Sequence, residues 1–296
     1  MLFRPPRVAP VLVGLGAVLV TLALVATGVF LFLETPISLS SFFLGLWVFL
    51  LLVLAALNGW RTWCCWALRY HLTRDALTIH WGHRKEVVPM REFRKLVSSQ
   101  GKSISWSAGV HGFAHHVGPG NVAELGLTSF YATHLSPANL VYLLAGDRRY
   151  GLSLEDPQRF ERYLETCLGL GPLSWQDARI EEGRLVHLPF WRDTWALAML
   201  VGAFLINLAL FAYLSYHYPQ IPSFLALHFA PSGQVDRIGL KLEVFKLPGI
   251  ALVVLGGNGL MGILLHVKER YMAYLTLVVA LLVQMLFWVA AVRIAG

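Results

Sequence analysis

Five stretches of this sequence carry no Asp, Glu, Lys or Arg and are almost wholly apolar: 11–33, 42–57, 195–214, 248–267 and 271–292. The first is about 23 residues long, enough to span about 30 Å of hydrocarbon at 1.5 Å per residue. A chain patterned this way folds around a bilayer, with each stretch as a helix whose backbone groups are satisfied internally. Composition agrees: 56% of the 296 residues are hydrophobic and only 14% charged, where a soluble domain carries about 25% charged residues.

Arg4 and Arg7 precede the first run as in a signal peptide, but no small-x-small cleavage site follows it, so it reads as a retained span. The second run ends at Asn58, Gly59, Trp60 and Arg61, with Trp60 and Trp63 as interfacial anchors. With five spans and the long polar region between the second and third, Arg4, Arg7, Arg61, Arg69, Arg192, Lys268 and Arg270 all fall on one side. The 34–41 turn on the opposite side has no Lys or Arg. The positive-inside rule therefore predicts a cytoplasmic N-terminus and polar domain, and an outer C-terminus. Arg237, Lys241 and Lys246 lie on the outer side, but they are fewer and partly balanced by Asp236 and Glu243. The net charge of +7 thus reflects topology, and no basic helix points to nucleic acid.

Within the polar region the helical period disappears. The segment 76–81, the turn Gly82-His83 and the return 84–88 read as a β-hairpin. Further strands are expected at 93–99, 103–106, 125–133, 139–145 and 148–154, and the Gly- and His-rich 109–122 reads as a loop. A helix then starts at Asp156 as N-cap and Pro157 as first residue, with Phe160, Tyr163, Leu164, Cys167 and Leu168 on its apolar face. Short antiparallel strands closed by one amphipathic helix describe a PH-like barrel.

Here the chain resembles the bacterial PH-like domains of membrane proteins. The residues that carry the resemblance are Tyr70-His71-Leu72-Thr73-Arg74-Asp75-Ala76-Leu77, Tyr131-Ala132-Thr133 and Tyr150-Gly151-Leu152-Ser153-Leu154-Glu155-Asp156-Pro157-Gln158-Arg159-Phe160. It implies a fold and an interaction module, without catalytic residues. The fold class is an α-helical integral membrane protein of about five spans with a cytoplasmic α+β domain, a PH-like antiparallel β-barrel closed by a C-terminal helix. Its expected parts are two helices (1–60), the PH-like domain (61–170), a juxtamembrane linker (171–193) and a three-helix membrane domain (194–296) with a structured outer loop (215–247).

Tyr218-Pro219-Gln220-Ile221-Pro222, then Leu227-His228-Phe229, Ser232-Gly233-Gln234-Val235-Asp236-Arg237, Lys241 and Leu247-Pro248 form a second pattern. It resembles a domain of unknown function shared with sporulation-delay toxin immunity proteins. Pro219, Pro222, His228, Gly233, Asp236 and Lys241 make up this outer-loop motif. Pro219 and Pro222 stop the third helix, Gly233 suits a tight turn and Pro248 suits a helix's first turn. His228 reads as a packed or hydrogen-bonded loop histidine.

Inside the spans, Asn207, Asn258 and Gln284 fall roughly 14–20 Å from the inner helix ends. Amides at that depth face protein, so the three are expected to form a polar layer, with Asn207 or Gln284 as the partner of Asn258. Gly256, Gly257, Gly259 and Gly262 permit close helix approach there. No span carries an Asp, Glu, Lys or Arg, which proton or ion pathways usually need.

The sequence has no GxSxG, HExxH or P-loop, and no GxGxxG opening a helix after a strand. His111, His115 and His116, with His134 further on, are the one group a metal enzyme could use; adjacent histidines lack the helical i, i+4 spacing, and a loop containing histidines is the simpler reading. Cys64, Cys65 and Cys167 form no CxxC pair and imply neither disulfide nor zinc. The expected protein is non-enzymatic, without cofactor or metal. It is embedded in the lipid bilayer and binds a protein partner through its cytoplasmic domain. The alternatives are an immunity-type or signal-receiving protein acting through the outer loop, and a metal-dependent membrane enzyme.

Overall fold

The computed structural model describes residues 1–98, 102–106, 109–112, 115–136, 138–183, 188–229 and 235–295. It divides into two compact units, one of residues 1–23 with 51–183 and one of 24–50 with 184–296. Five helices are long and apolar enough to cross a membrane: α1 (Val8–Glu34), α2 (Leu39–Ala67), α4 (Thr194–His217), α5 (Lys246–His266) and α6 (Arg270–Ala295). α3 (Pro157–Leu170) belongs to the polar region.

In the first unit α2 continues well past Asn58 and Gly59, where the apolar run stops. Cys64 and Cys65 in its last turns are buried. The polar residues mark the end of the hydrocarbon-compatible surface, while the helix itself is carried on by packing beneath the β domain. Two sheets follow. The first has the order β1-β2-β3-β4-β12, all antiparallel: β1 (Leu2–Phe3), β2 (Arg69–Leu72), β3 (Ala76–Trp81), β4 (Arg84–Pro89) and β12 (Arg179–Glu181). The expected β3–β4 hairpin is present, with Gly82 at φ +55°, where a Cβ would lie 2.8 Å from Cys64 Sγ. Only glycine fits there.

The second sheet has the order β5-β10-β11-β9-β8-β6, with β7 also on β8. Its strands are β5 (Phe93–Ser98), β6 (Ile104–Trp106), β7 (Val110–Gly112), β8 (His115–Val122), β9 (Gly126–Ala132), β10 (Leu140–Ala145) and β11 (Arg148–Ser153). The 109–122 loop expectation is therefore corrected: much of it is strand, because β8 alternates buried His115 and Val117 with half-exposed neighbours along a paired edge. The sheet is not wholly antiparallel either, since β9 and β11 run parallel. After β9 the chain skips one position to β10, and the β10–β11 hairpin folds back into the gap. Gly151 on β11 makes that insertion possible, because a Cβ there would meet the Phe130 ring of β9 at 2.5 Å.

Both sheets and α3 share one core, built around Tyr70, Leu77, Ile79, Leu143, Tyr150 and Phe160. Among the described residues neither sheet closes on itself into a barrel. α3 starts as expected: the Asp156 carboxylate accepts the Arg159 N–H at 2.8 Å, and Phe160, Leu164 and Cys167 are buried. Leu168, expected on the apolar face, is exposed.

Two segments at the ends of this unit differ from the sequence reading. Residues 1–6, read as a basic flank, are stitched into the domain. β1 pairs with β2, the Phe3 ring meets Phe160 edge-on at 5.0 Å, and the carbonyls of Arg4 and Pro6 accept from the Glu155 N–H and the Thr133 hydroxyl. Residues 171–183, read as linker, form a strap. Asp75 accepts the N–H groups of Leu173 and Ser174, Arg74 donates to the Leu170 and Gly171 carbonyls, and β12 adds to the edge of β4.

In the second unit α4, α5 and α6 pack together, and residues 24–50 of α1 and α2 belong with them. The antiparallel hairpin of β13 (Phe224–Phe229) and β14 (Val235–Leu240) joins α4 to a 3-10 turn over Lys241–Phe245, from which α5 continues.

Candidate functional site

Two of the three span amides, Asn207 and Gln284, meet in the structure. Asn207 on α4 is 1% exposed; its Nδ2 donates to the Pro248 carbonyl at 3.1 Å and to Gln284 Oε1 at 3.0 Å. Gln284 on α6 is fully buried and its Nε2 donates to the Ala251 carbonyl at 2.8 Å. The two amides thus tie α4 and α6 to the first turns of α5. Asn258 is not part of this layer: its Nδ2 donates to Val254 of its own helix at 2.9 Å. It lies seven or more residues beyond the α5 carbonyls that join the layer, about 10–15 Å along the axis. Depth counted from each helix's inner end missed the stagger between α4 and α5. Of the four glycines, a Cβ at Gly259 would meet Leu200 at 3.0 Å and one at Gly262 would meet Leu277 at 3.3 Å, while Gly256 and Gly257 face open space.

A second polar cluster gathers where three helices end. Asp193 Oδ1 accepts the N–H groups of Trp195 and Ala196 and so caps α4. Its Oδ2 accepts the Tyr274 hydroxyl at 2.7 Å and His266 Nε2 at 2.9 Å, with Arg270 Nε at 3.2 Å. The carboxylate can only accept, so His266 carries its hydrogen on Nε2. The hydrogen bond from His266, then that from Tyr274, holds the Asp193 carboxyl well below the usual carboxylate range. The sequence signal was legible, an Asp immediately before an apolar run.

In the β domain the buried charge is Glu86 of β4, 3% exposed. It accepts from the hydroxyls of Tyr131 on β9 and Tyr150 on β11, the latter at 2.9 Å, and Arg84 and Arg148 lie 3.5 and 3.8 Å away. It therefore bridges the two sheets. Burial first, then the Glu86 charge, pushes both tyrosine hydroxyls well above their ordinary range. Within the second sheet, Thr133 just after β9 is tied to β11, its N–H donating to Ser153 Oγ at 2.9 Å.

Among the described side chains the histidines do not converge on a site. His115 and His116 are neighbours on β8 and so point to opposite faces. The His115 ring stacks on Trp81 and its Nδ1 is 2.9 Å from the buried thiol of Cys65. His134 Nδ1 accepts the Ser136 N–H, and the backbone of His111 pairs with His116. Among the described residues no three His, Cys, Asp or Glu side chains are grouped to hold a metal.

The exposed feature of the β domain is apolar. Leu168 and Leu170 at the end of α3, and Leu173 and Trp175 on the strap, are exposed, the last two at 74% and 83%. Asp75 and Arg74 fix the strap's backbone, and the Arg91 guanidinium lies over the Trp175 ring at 5.0 Å while pairing with Asp177.

Residues 68–167 match the bacterial PH domain. Residues 205–252 match a domain of unknown function, DUF1648. No curated protein and no solved structure matches the chain. The chain is a membrane protein that joins a PH-like and a DUF1648 domain, as both resemblances implied. The residues behind the first resemblance now have physical roles: Tyr131 and Tyr150 hold Glu86, Thr133 holds Ser153, and Asp156 caps α3.

In the DUF1648 region, Pro219 lies in a 3-10 turn after α4, Pro222 precedes β13, and Pro248 lies in the first turn of α5. Lys241 closes the hairpin base: its N–H donates to the Ser223 carbonyl and its ammonium lies over the Tyr218 ring at 4.6 Å. His228 and Asp236 lie in β13 and β14 by backbone, with side chains outside the description, and Gly233 lies outside the described residues.

Proposed function

We propose that this is a non-enzymatic membrane protein whose cytoplasmic PH-like domain docks a protein partner through the strap and the end of α3. The observation that carries this reading is the exposed Leu170, Leu173 and Trp175 on a backbone already fixed by Arg74 and Asp75. Apolar groups held rigid lose little conformational entropy on binding, and tryptophan is enriched among binding hot spots. The buried carboxylates Glu86 and Asp193 support a structural role, because each is enclosed by donors that hold it in place. The shared core supports reading the two sheets and α3 as halves of a PH-like barrel. The match to the bacterial PH domain supports a bacterial cytoplasmic membrane, and the Lys/Arg asymmetry supports an inner N-terminus and an outer C-terminus.

The test is a photo-crosslinking residue at position 175 of the full-length chain in its native membrane. A discrete protein adduct is expected. Trp175→Ala should weaken the complex by about 30- to 1000-fold, the effect of losing a 2–4 kcal/mol hot spot. Labelling of lipid alone, or an adduct indifferent to Leu173→Asp, would refute the reading. Reporter fusions at Ala76 and Gly296 should report opposite sides of the membrane.

A second reading has its own observation. The β13–β14 hairpin leaves Phe224, Ile238 and Leu240 exposed, as an immunity-type or signal-receiving outer loop would require. Deleting 221–246 should then abolish the associated phenotype with insertion intact, and an unchanged phenotype removes this reading.

A further inference from the structure

The second unit contains a cavity of about 460 Å³ that the polar layer does not account for. Rings of Phe32, Phe49, Phe204, Phe211 and Phe245 line it. Its size and its aromatic lining with few polar groups are those of a ligand site, for which about 300–1,000 Å³ is usual. Three lining residues are polar: Asn207, Ser41 and Ser215. Asn207 directs its Nδ2 at Pro248 and Gln284, and Ser41 donates its hydroxyl to the Ser38 carbonyl at 2.8 Å. Neither has a hydrogen left for an occupant, and apart from these two and Ser215 the lining is apolar or glycine, so an apolar occupant fits it best. Water has no reason to enter an apolar cavity, and an empty one would forfeit the dispersion contacts of its lining atoms.

Length identifies the occupant. On α4 the lining runs from Phe204 to Ser215, about 17 Å along the axis at 1.5 Å per residue. That is close to one leaflet of a hydrocarbon core about 30 Å thick. The polarity follows the same axis. Ser41 near the start of α2 and Ser215 near the end of α4 stand at the outer mouth beside Ile37, while below Ser215 only Asn207 interrupts the apolar lining. We propose that this cavity is a binding site for one acyl chain of a phospholipid from the leaflet on the side of the 34–41 turn.

The test uses the full-length chain reconstituted in vesicles of phosphatidylethanolamine and phosphatidylglycerol doped with a phospholipid carrying a diazirine near one chain end. Adducts should concentrate on the cavity faces of α2 and α4, around Phe49 and Phe204; adducts spread evenly over all five spans would mean bulk lipid only and overturn the site. Native mass spectrometry after detergent washing should find a retained phospholipid. Leu208→Trp and Leu46→Trp, which fill the cavity, should lower retention about tenfold or more, the loss produced by about 1.4 kcal/mol of misfit. Val253→Trp, on an exposed face outside the lining, should retain the lipid. Equal retention in all three variants, or equal loss in all three, refutes the assignment. Should both filling variants misfold, the adduct map of the unaltered chain decides alone.

Discussion

Replacing Glu86 with Ala tests how the β domain holds its two sheets together. The side chain is 3% exposed and accepts two tyrosine hydroxyls, one from each of two strands of the opposite sheet. Removing it leaves both hydroxyls without this acceptor, and leaves Arg84 and Arg148 facing a void where a carboxylate stood. Hydrogen bonds to a charged group contribute about 1.5–3 kcal/mol each, and removing one partner of a buried charge pair costs about 3–5 kcal/mol. We take the second range, because the two contributions overlap through one carboxylate. A domain's total stability is about 5–15 kcal/mol, so the substitution brings local opening within easy reach. Hydrogen exchange of the full-length chain in nanodiscs reads this directly: protection of β4, β9 and β11 should fall by about 150- to 5,000-fold. Tyr150→Phe removes one hydrogen bond and leaves the charge paired, so its effect should be smaller. If Glu86→Ala lowers protection by less than about tenfold, equivalent to 1.4 kcal/mol, the carboxylate is not the inter-sheet lock and the reasoning fails.

The same tyrosines predict alkaline sensitivity. Their folded-state values are raised above the ordinary 10.0, so the folded form retains protons that the unfolded form has released; stability is unaffected below about pH 10 and falls above it, at about 1.4 kcal/mol per pH unit for each group. The Tyr131→Phe/Tyr150→Phe double variant should show a shallower decline in a pH series of thermal melts. Phe3→Ala should destabilise the β domain by about 3–5 kcal/mol, more than Asp156→Ala at about 0.5–2 kcal/mol; equal, negligible shifts in domain melting would mean that β1 and the helix cap do not hold the domain. Gly259→Leu should disrupt packing of α4 against α5, because a Cβ already approaches Leu200 at 3.0 Å, whereas Gly257→Leu should be tolerated; comparable loss of folded protein in detergent for both would place the helix contact elsewhere.

Much of the fold was legible because the signals were local. The five apolar runs, the Gly82-His83 hairpin and the Asp156-Pro157 helix start depend on residues close together in sequence, and all three are present. β1 was not legible, since Leu2-Phe3 gains its meaning only when β2, sixty-six residues on, offers it an edge. β8 was misread as loop because its glycines and proline resemble turn chemistry, while its strand character comes from pairing with β9.

The polar sites show the same division more sharply. Sequence pattern identified which amides lie inside the spans, because a polar residue in an apolar run is conspicuous. Pairing depends on axial stagger and helix rotation, which residue counting along each helix separately leaves undetermined. Asn207 finds Gln284 and two carbonyls of α5, while Asn258 turns back on its own helix. Glu86 was hidden for the opposite reason: a Glu beside Arg84 and Lys85 in a hairpin strand looks like an ordinary solvated charge. It becomes a structural element only because Tyr131 and Tyr150 come from strands that lie side by side in parallel, a pairing produced by the β10–β11 hairpin folding back beside β9. The motif that made the domain recognisable is therefore the record of a packing problem, how to bury one carboxylate between two sheets. Its tyrosines serve that purpose, and the exposed Leu170, Leu173 and Trp175, through which we propose docking, lie outside the matched residues, on the strap that follows.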